Sequence, residues 1–442
     1  MKIGILSLGC PKNLVDSEAL LAELARKGHT IVDEVAKSDI AIVNTCAFIE
    51  DAKKESVDAI LDLIELKKQG RIKKIIVVGC LPQRYKAVLK KEFTEVDEFR
   101  GIGKFSNRQI EKRLLITPAH YGYIKISEGC DNRCKYCTIS KIRGPYKSRS
   151  VNSILEEVKT LYDNSKAALS EINLISQDLT YYGMDLYGRF YLAKLLRSLT
   201  ENKFAKAMKN LKWIRLLYCH PAHFNSDLID VIRDSPRICK YIDLPIQHIN
   251  DKLLKKMGRK VTKQQLIDLI GMLRKEIPGV VIRTSLIVGL PGEGEKEFRE
   301  LLNFMKDAKF ERLGIFTYSK EEGTPAYNFK NQVSEKIKKQ RFDEAMKLQQ
   351  EIAKEVNASF LGKTMEVLIE EAQGPIRESG DLGNWGTQTP RRPEAQYIGR
   401  TYADAPEVDG TVFVNSKRTL KPGDFVDVKI VDTLEYDLVA EA

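Results

Sequence analysis

The run Glu128-Gly129-Cys130-Asp131-Asn132-Arg133-Cys134-Lys135-Tyr136-Cys137 places three thiols in a C-x3-C-x2-C pattern directly after a β-rich segment. Three thiolates on one tight loop hold three irons of a cubic iron–sulfur cluster and leave the fourth open to a small chelating molecule. Structural zinc is the competing chemistry, but it wants a fourth ligand, and no His or Cys follows within the next 80 residues. A second set, Cys10, Cys46 and Cys80, has no short spacing. Each ends one of the runs ILSLGC, AIVNTC and IVVGC, just past the carboxyl end of an expected parallel strand. Loops at that edge converge, and open α/β sheets bind their ligands there. Gly9 and Gly79, each before its Cys, let the backbone approach a bulky group. One strand-end Cys is ordinarily core, whereas three at equivalent positions point to a second three-thiolate site. Cys219 and Cys239 lie in the apolar runs IRLLYCHP and RICKYID and read as core.

Periodicity supplies the elements that must carry these residues. Over the first hundred residues, strands expected at 2–8, 39–44 and 74–78 alternate with helices at 17–26, 51–68 and 84–92, the pattern of a parallel sheet. A polar, basic stretch over 101–120 follows. Six further strands are expected at 121–127, 171–176, 213–218, 241–245, 281–289 and 312–318. All but the last precede a helix-like segment, which predicts a partial (βα)6, TIM-like barrel. Residues 334–359 read as one long connecting helix. From Leu361 the period becomes two, over 365–369, 397–402, 411–414 and 425–431, with turns at Asp409-Gly410 and Pro422-Gly423. This predicts a small all-β barrel, interrupted by a long loop over 374–396 rich in Gly, Pro, Arg and Asn. The fold class is therefore α/β, in three expected units: 1–110, 116–355 and 361–442.

With 43% apolar residues in 442, wholesale disorder is excluded, and no apolar run approaches the roughly 20 residues of a membrane span. The N-terminus lacks the pattern of a signal peptide, so a cytoplasmic protein with reduced thiols is expected. The net charge of +11 hints at nucleic acid, but it is unevenly spread. From Leu361 onward there are nine Lys and Arg against fifteen Asp and Glu, a net of −6, which leaves +17 on the rest. A domain that grips tRNA should be basic; an acidic one suits a strongly basic protein.

The segments 9–18 (GCPKNLVDSE), 44–49 (NTCAFI), 78–80 (VGC), 128–137, 283–285 (RTS) and 289–293 (GLPGE) resemble the methylthiotransferases, in order and across nearly the whole chain. The 128–137 loop resembles that of the radical S-adenosylmethionine enzymes, where an aromatic such as Tyr136 typically precedes the last Cys. The resemblance implies an N-terminal cluster domain, a radical S-adenosylmethionine barrel and a C-terminal TRAM domain of OB-like type. It also implies two [4Fe-4S] clusters, on Cys130, Cys134 and Cys137 and on Cys10, Cys46 and Cys80, with S-adenosylmethionine serving as both radical source and methyl donor. Tyr136, Gln177, Asp178, Gln247, Arg283 and Gly289 are the candidates for holding that cofactor. GCPKNLVDSE looks like the branch that methylthiolates the β-carbon of an aspartate in small-subunit ribosomal protein S-twelve. The tRNA-modifying branch, which usually has Gln and Met-Asn where this chain has Pro11 and Lys12-Asn13, is the near alternative. A non-catalytic iron–sulfur electron-transfer or RNA-binding protein is the alternative from another class. An electron donor such as flavodoxin or ferredoxin, and a monomeric enzyme, are expected. Lys12 and Asn13 gain no role beyond lying next to a cluster ligand, and His220 and His248 stand equally between function and core.

Overall fold

The computed structural model describes residues 1–103, 113–373 and 396–442. Positions 374–395 of the expected long loop and 104–112 of the basic stretch lie outside the described residues.

The chain opens with β1 (Lys2–Ser7), α1 (Pro11–Arg26), β2 (Ile40–Thr45), α2 (Glu50–Lys68), β3 (Lys74–Gly79) and α3 (Cys80–Glu92). The three strands pair in parallel in the order β1-β2-β3, flanked by the two-residue strands Thr30–Ile31 and Glu98–Phe99. Central β2 is buried along its whole length, as a strand covered on both faces must be. Two helices begin before their apolar periodicity does, α1 at Pro11 and not 17, α3 at Cys80 and not 84. Pro11 has its φ pre-set for a first helical position, and the first turns of α1 bury Lys12, Asn13, Asp16, Ser17 and Glu18. A buried polar face carries no hydrophobic signal, so the pattern starts late.

The second unit lays β4 (Tyr121–Lys125), β5 (Glu171–Ile175), β6 (Trp213–Leu216), β7 (Ile238–Asp243), β8 (Val281–Val288) and β9 (Arg312–Thr317) side by side, parallel and in chain order. With β4 and β9 unpaired to each other, the sheet is an open partial barrel. Around it run α4 (Ile139–Arg143), α5 (Val151–Asn164), α6 (Leu192–Thr200), α7 (Ser226–Asp234), α8 (Lys263–Glu276), α9 (Glu295–Ala308) and the long α10 (Glu335–Ala358). Apart from α4, whose Ile142 packs into the core of the N-terminal unit, their apolar faces join the strands in the largest core. Strand β7 starts three residues before the expected position because Lys240 is accommodated inside it. Its ammonium donates to the carbonyls of Ile232, Arg233 and Ser235 at the end of α7.

The third unit closes β10 (Thr364–Ala372), β11 (Tyr397–Thr401), β12 (Val412–Asn415), β13 (Phe425–Thr433) and β14 (Leu438–Glu441) into a barrel of order β10-β11-β12-β14-β13. Strand β14 has no counterpart among the expected runs. This barrel seats on the inner face of the open one, where Leu368, Ala403 and Ala405 share a core with Tyr121, Tyr123, Trp213, Tyr241 and with Val15 of α1. Charges lock the seat. Arg400 reaches Glu171 and Glu370 at 2.7 Å each, Arg215 reaches Glu171 at 2.7 Å, and Arg312 reaches Asp404 at 2.6 Å. Arg283 lies 3.2 Å from both Asp243 and Asp409, and the Tyr121 hydroxyl donates to Glu407 at 2.8 Å. The acid surplus of this unit is thus not all free surface. Glu366, which pairs with Lys212, joins Glu370, Asp404, Glu407 and Asp409 in turning toward the open barrel.

Candidate functional site

Cys10 caps the N-terminus of α1 and Cys80 opens α3, so two thiols stand on helix N-termini. Cys46 follows β2 and is pinned by Ser56, whose hydroxyl accepts from the Cys46 amide (3.0 Å) and donates to its carbonyl (2.9 Å). The glycines are obligatory. A Cβ on Gly79, whose φ is +100°, would lie 2.2 Å from the Asn44 side-chain oxygen, and one on Gly9 would lie 2.7 Å from the Cys46 Cβ. Asn13 ties the three loops together. Its Nδ2 donates to the carbonyls of Leu8 (3.1 Å) and Thr45 (3.2 Å), and its Oδ1 lies 3.7 Å from the Cys80 Sγ. Burial first, then the charge of the neighbouring Cys10, pushes the Cys46 thiol up to about 11. Burial, against the pull of Arg143, raises Cys80 to about 12, with Cys10 and Cys46 adding to the rise.

The other triad sits on the loop between β4 and α4. Burial raises Cys130 to about 11 and Cys137 to about 12, against backbone hydrogen bonds from Asn132 and Ile139 and with the charge of Cys134 adding to each rise. Cys10 thus adds to the cost of ionising Cys46 and Cys80, and Cys134 to that of Cys130 and Cys137, which is the donor set that a multivalent iron cluster satisfies. All six are free thiols. The residues therefore fit two clusters.

Arg143, six residues past Cys137, joins the two sites. Its guanidinium donates to Glu128 (2.9 Å), to the Asn13 Oδ1 (2.5 Å) and to Asp16 (3.1 Å), and lies 3.9 Å from the Cys80 Sγ. Lys125 bridges Asp16 and Glu128 beside it. Farther along the interface, Glu321 takes Arg84 at 2.9 Å and Lys53 at 3.2 Å. Neither Asn13 nor Arg143 carries a sequence signal of these roles, because their contact spans 130 residues.

The expected cofactor residues divide. Tyr136 packs beside Met257, Leu290, Tyr318 and Ala326, and burial first, then the charge of Cys134, pushes its phenol well above the ordinary value. Gln177 donates to Glu128 at 3.1 Å and leaves its buried Oε1 without a partner among the described residues. Asp178 accepts from Asn132 (2.7 Å), which lies between Cys130 and Cys134, and from Thr180 (2.8 Å). Gln247 has a left-handed φ of 73° and bridges to β8 through its backbone. The Gly289 amide is held at 3.0 Å by Glu293, itself clamped by Arg341 at 2.9 Å. Arg283 stands apart. It is the third residue of β8, at the entry end of the strand, and its charge is taken by Asp243 and Asp409.

Two histidines resolve differently. Burial drives His248 down to about 4, so it stays neutral in the core and its 3.6 Å approach to Glu293 is no ion pair at neutral pH. His220, with His223, instead gathers at Asp178, the ligating atoms of all three within 4.8 Å of one another and all three residues buried.

Comparison with known proteins agrees with this architecture. Residues 2–101 match the uncharacterized protein family UPF0004, 124–305 the radical SAM superfamily and 389–442 the TRAM domain. The ribosomal protein uS12 methylthiotransferase RimO of Desulforamulus reducens is 47% identical over 99% of both chains. That of Caldanaerobacter subterraneus is 44% identical, again over 99% of both. A solved radical S-adenosylmethionine methyltransferase, TsrM of Kitasatospora setae, aligns with TM-score 0.54 at 14% identity over 74% of this chain and 76% of its own, a likeness of fold. The chain belongs to the RimO family of radical S-adenosylmethionine methylthiotransferases.

Proposed function

We propose that this enzyme methylthiolates the β-carbon of an aspartate in ribosomal protein uS12, with the 1–110 unit presenting sulfur, the 116–355 barrel generating the radical and the 361–442 unit completing the barrel's inner wall. The observation that carries this reading is Arg143. The last residue of the helix that follows one thiol triad lies 3.9 Å from a thiol of the other, so that both triads border one reaction space. The C–H bonds beside an ionised carboxylate are barely acidic, so base catalysis is a poor route and a radical is the available tool. When bound, the cluster of Cys130, Cys134 and Cys137 supplies the electron that cleaves S-adenosylmethionine to a hydrogen-abstracting radical, and that of Cys10, Cys46 and Cys80 supplies the sulfur.

The chain's own work is positional. Tyr136, Gln177, Asp178, Gln247 and Gly289 line the cofactor's place, with the Gln177 Oε1 offering an unused acceptor and Asn132 and Asp178 fixing the loop between Cys130 and Cys134. Arg283 leaves this set because its charge is neutralised within the protein. Glu128, which Lys125 and Arg143 hold ionised against the cost of burial, keeps Gln177 in place. A flavodoxin or ferredoxin is the proposed electron source, and the enzyme acts as a cytoplasmic monomer.

Mass spectrometry of uS12 from cells with and without the gene tests the reading. The protein gains about 46 Da when the gene is present, and an unchanged mass refutes the assignment. Reconstituted enzyme is expected to hold about eight irons per chain, about four once Cys10, Cys46 and Cys80 are replaced by Ala.

A further inference from the structure

The open barrel has two edges, β4 and β9, and finishes them differently. Along β4 the outward carbonyls are taken by side chains. That of Tyr121 accepts from Thr117 at 3.0 Å, that of Tyr123 from Arg113, and that of Lys125 from Arg149 at 2.9 Å. Among the described residues, the other edge strands outside the closed barrel span two residues each. Only β9 presents a long edge without such a cover.

Strand β9 pairs with β8 alone. The Tyr318 amide, just past its end, donates to the Val288 carbonyl at 2.9 Å, so in this parallel ladder the even-numbered residues face β8. Leu313, Ile315 and Thr317 therefore turn their N–H and C=O groups to the open side, where nothing among the described residues bonds to them. A row of unpaired main-chain groups on an edge is a template for another strand. Arg312 points to the inner face, toward Asp404, and alternation puts Gly314 and Phe316 on that face too. Phe316 is 48% exposed, its ring lying over Gly314, where an added Cβ would be 3.4 Å from it. The strand runs on to Ser319, whose hydroxyl accepts from the Glu50 amide at 3.2 Å, just past Cys46. The free edge thus leads up to a loop of the N-terminal thiol site.

We propose that the segment of the substrate protein that carries the aspartate binds in extended form along the free edge of β9, as a further strand of the open barrel. This rests on the function proposed above and adds to it the way the substrate is held. An extended peptide presents an N–H and a C=O to one side at every second residue, which matches Leu313, Ile315 and Thr317. Its side chains alternate between the two faces of the sheet. A register that turns the aspartate inward therefore sets it on the face of Phe316 and turns both its neighbours outward. An RNA strand has no main-chain N–H donors to offer such an edge, so the edge favours a protein substrate over a tRNA.

Amide hydrogen exchange of the anaerobically reconstituted enzyme, read residue by residue with and without uS12, tests this. The Ile315 and Thr317 amides should slow on the order of tenfold or more when uS12 is bound. Thr317→Pro deletes one edge donor at an exposed position, so iron content and melting temperature should hold while KM for uS12 rises on the order of tenfold. Thr317→Ala keeps the donor and should raise KM far less. Unslowed exchange at both amides with uS12 bound overturns the proposal, as does an equal KM in the two variants. If Thr317→Pro loses its iron, exchange in the wild type decides alone. Wild type that leaves uS12 unmodified removes the function reading itself, whereas wild type that modifies uS12 with unslowed exchange along β9 removes only the added strand.

Discussion

Asn13 commits every hydrogen-bonding group it has to the cysteine loops. Its amide donates to the Cys10 carbonyl at 2.9 Å, its carbonyl accepts from Asn44 at 2.8 Å, and its side chain joins Leu8, Thr45 and Arg143. Asn13→Ala should cost about 1–3 kcal/mol, because it strands the buried Thr45 carbonyl and removes an Arg143 acceptor. About half of the iron should leave on mild chelation, with the remainder held by the Cys130 loop. Thermal melts and iron assays on the variant check both. At this scale the place of Cys10, Cys46 and Cys80 at the strand ends was legible, because apolar runs announce where strands stop. Asn13 and Arg143 were not. An asparagine and an arginine take their meaning from what folding brings against them, and here that contact crosses two units.

Among the elements, the sheets were read closely and the helix starts were not. Strands declare themselves by apolar runs, but α1 turns its polar side inward over its first two turns, since that side faces the thiols and the barrel and not a hydrophobic core. The late expectation for β7 has the opposite cause. A lysine inside a strand reads as a breaker until its ammonium is seen to cap three carbonyls at the end of α7. Lys240→Ala should therefore loosen α7 more than β7. A loss of about 1–2 kcal/mol is expected, together with faster amide exchange in the last turn of α7. Equal exchange in both elements contradicts this account.

At the scale of the whole molecule, the split of charge between body and tail has a structural cause. The acids of the third unit that pair with Arg283, Arg312 and Arg400 build a wall between the closed and open barrels, so the surplus speaks less of a basic partner than the count implied. Glu171, fully buried, serves Arg215 and Arg400 at once. Glu171→Ala leaves two buried guanidinium groups short of a partner and should cost about 3–5 kcal/mol. Calorimetry should show the two barrels of the wild type unfolding in one transition and those of the variant in two. Three units were legible from their change of period, but this shared wall was not, because ion pairs across 92 to 229 residues leave no local pattern.

The Asn13–Arg143 contact also sets an order of assembly. The N-terminal sheet emerges first from the ribosome, carrying Cys10, Cys46 and Cys80, yet one of the charges that faces Cys80 is made 63 residues later. The first site to be synthesised is therefore completed only after the loop of the other triad has been made. A graft that moves the N-terminal unit onto another barrel must bring Arg143 with it, so the true boundary of the sulfur-bearing module lies beyond the end of α4.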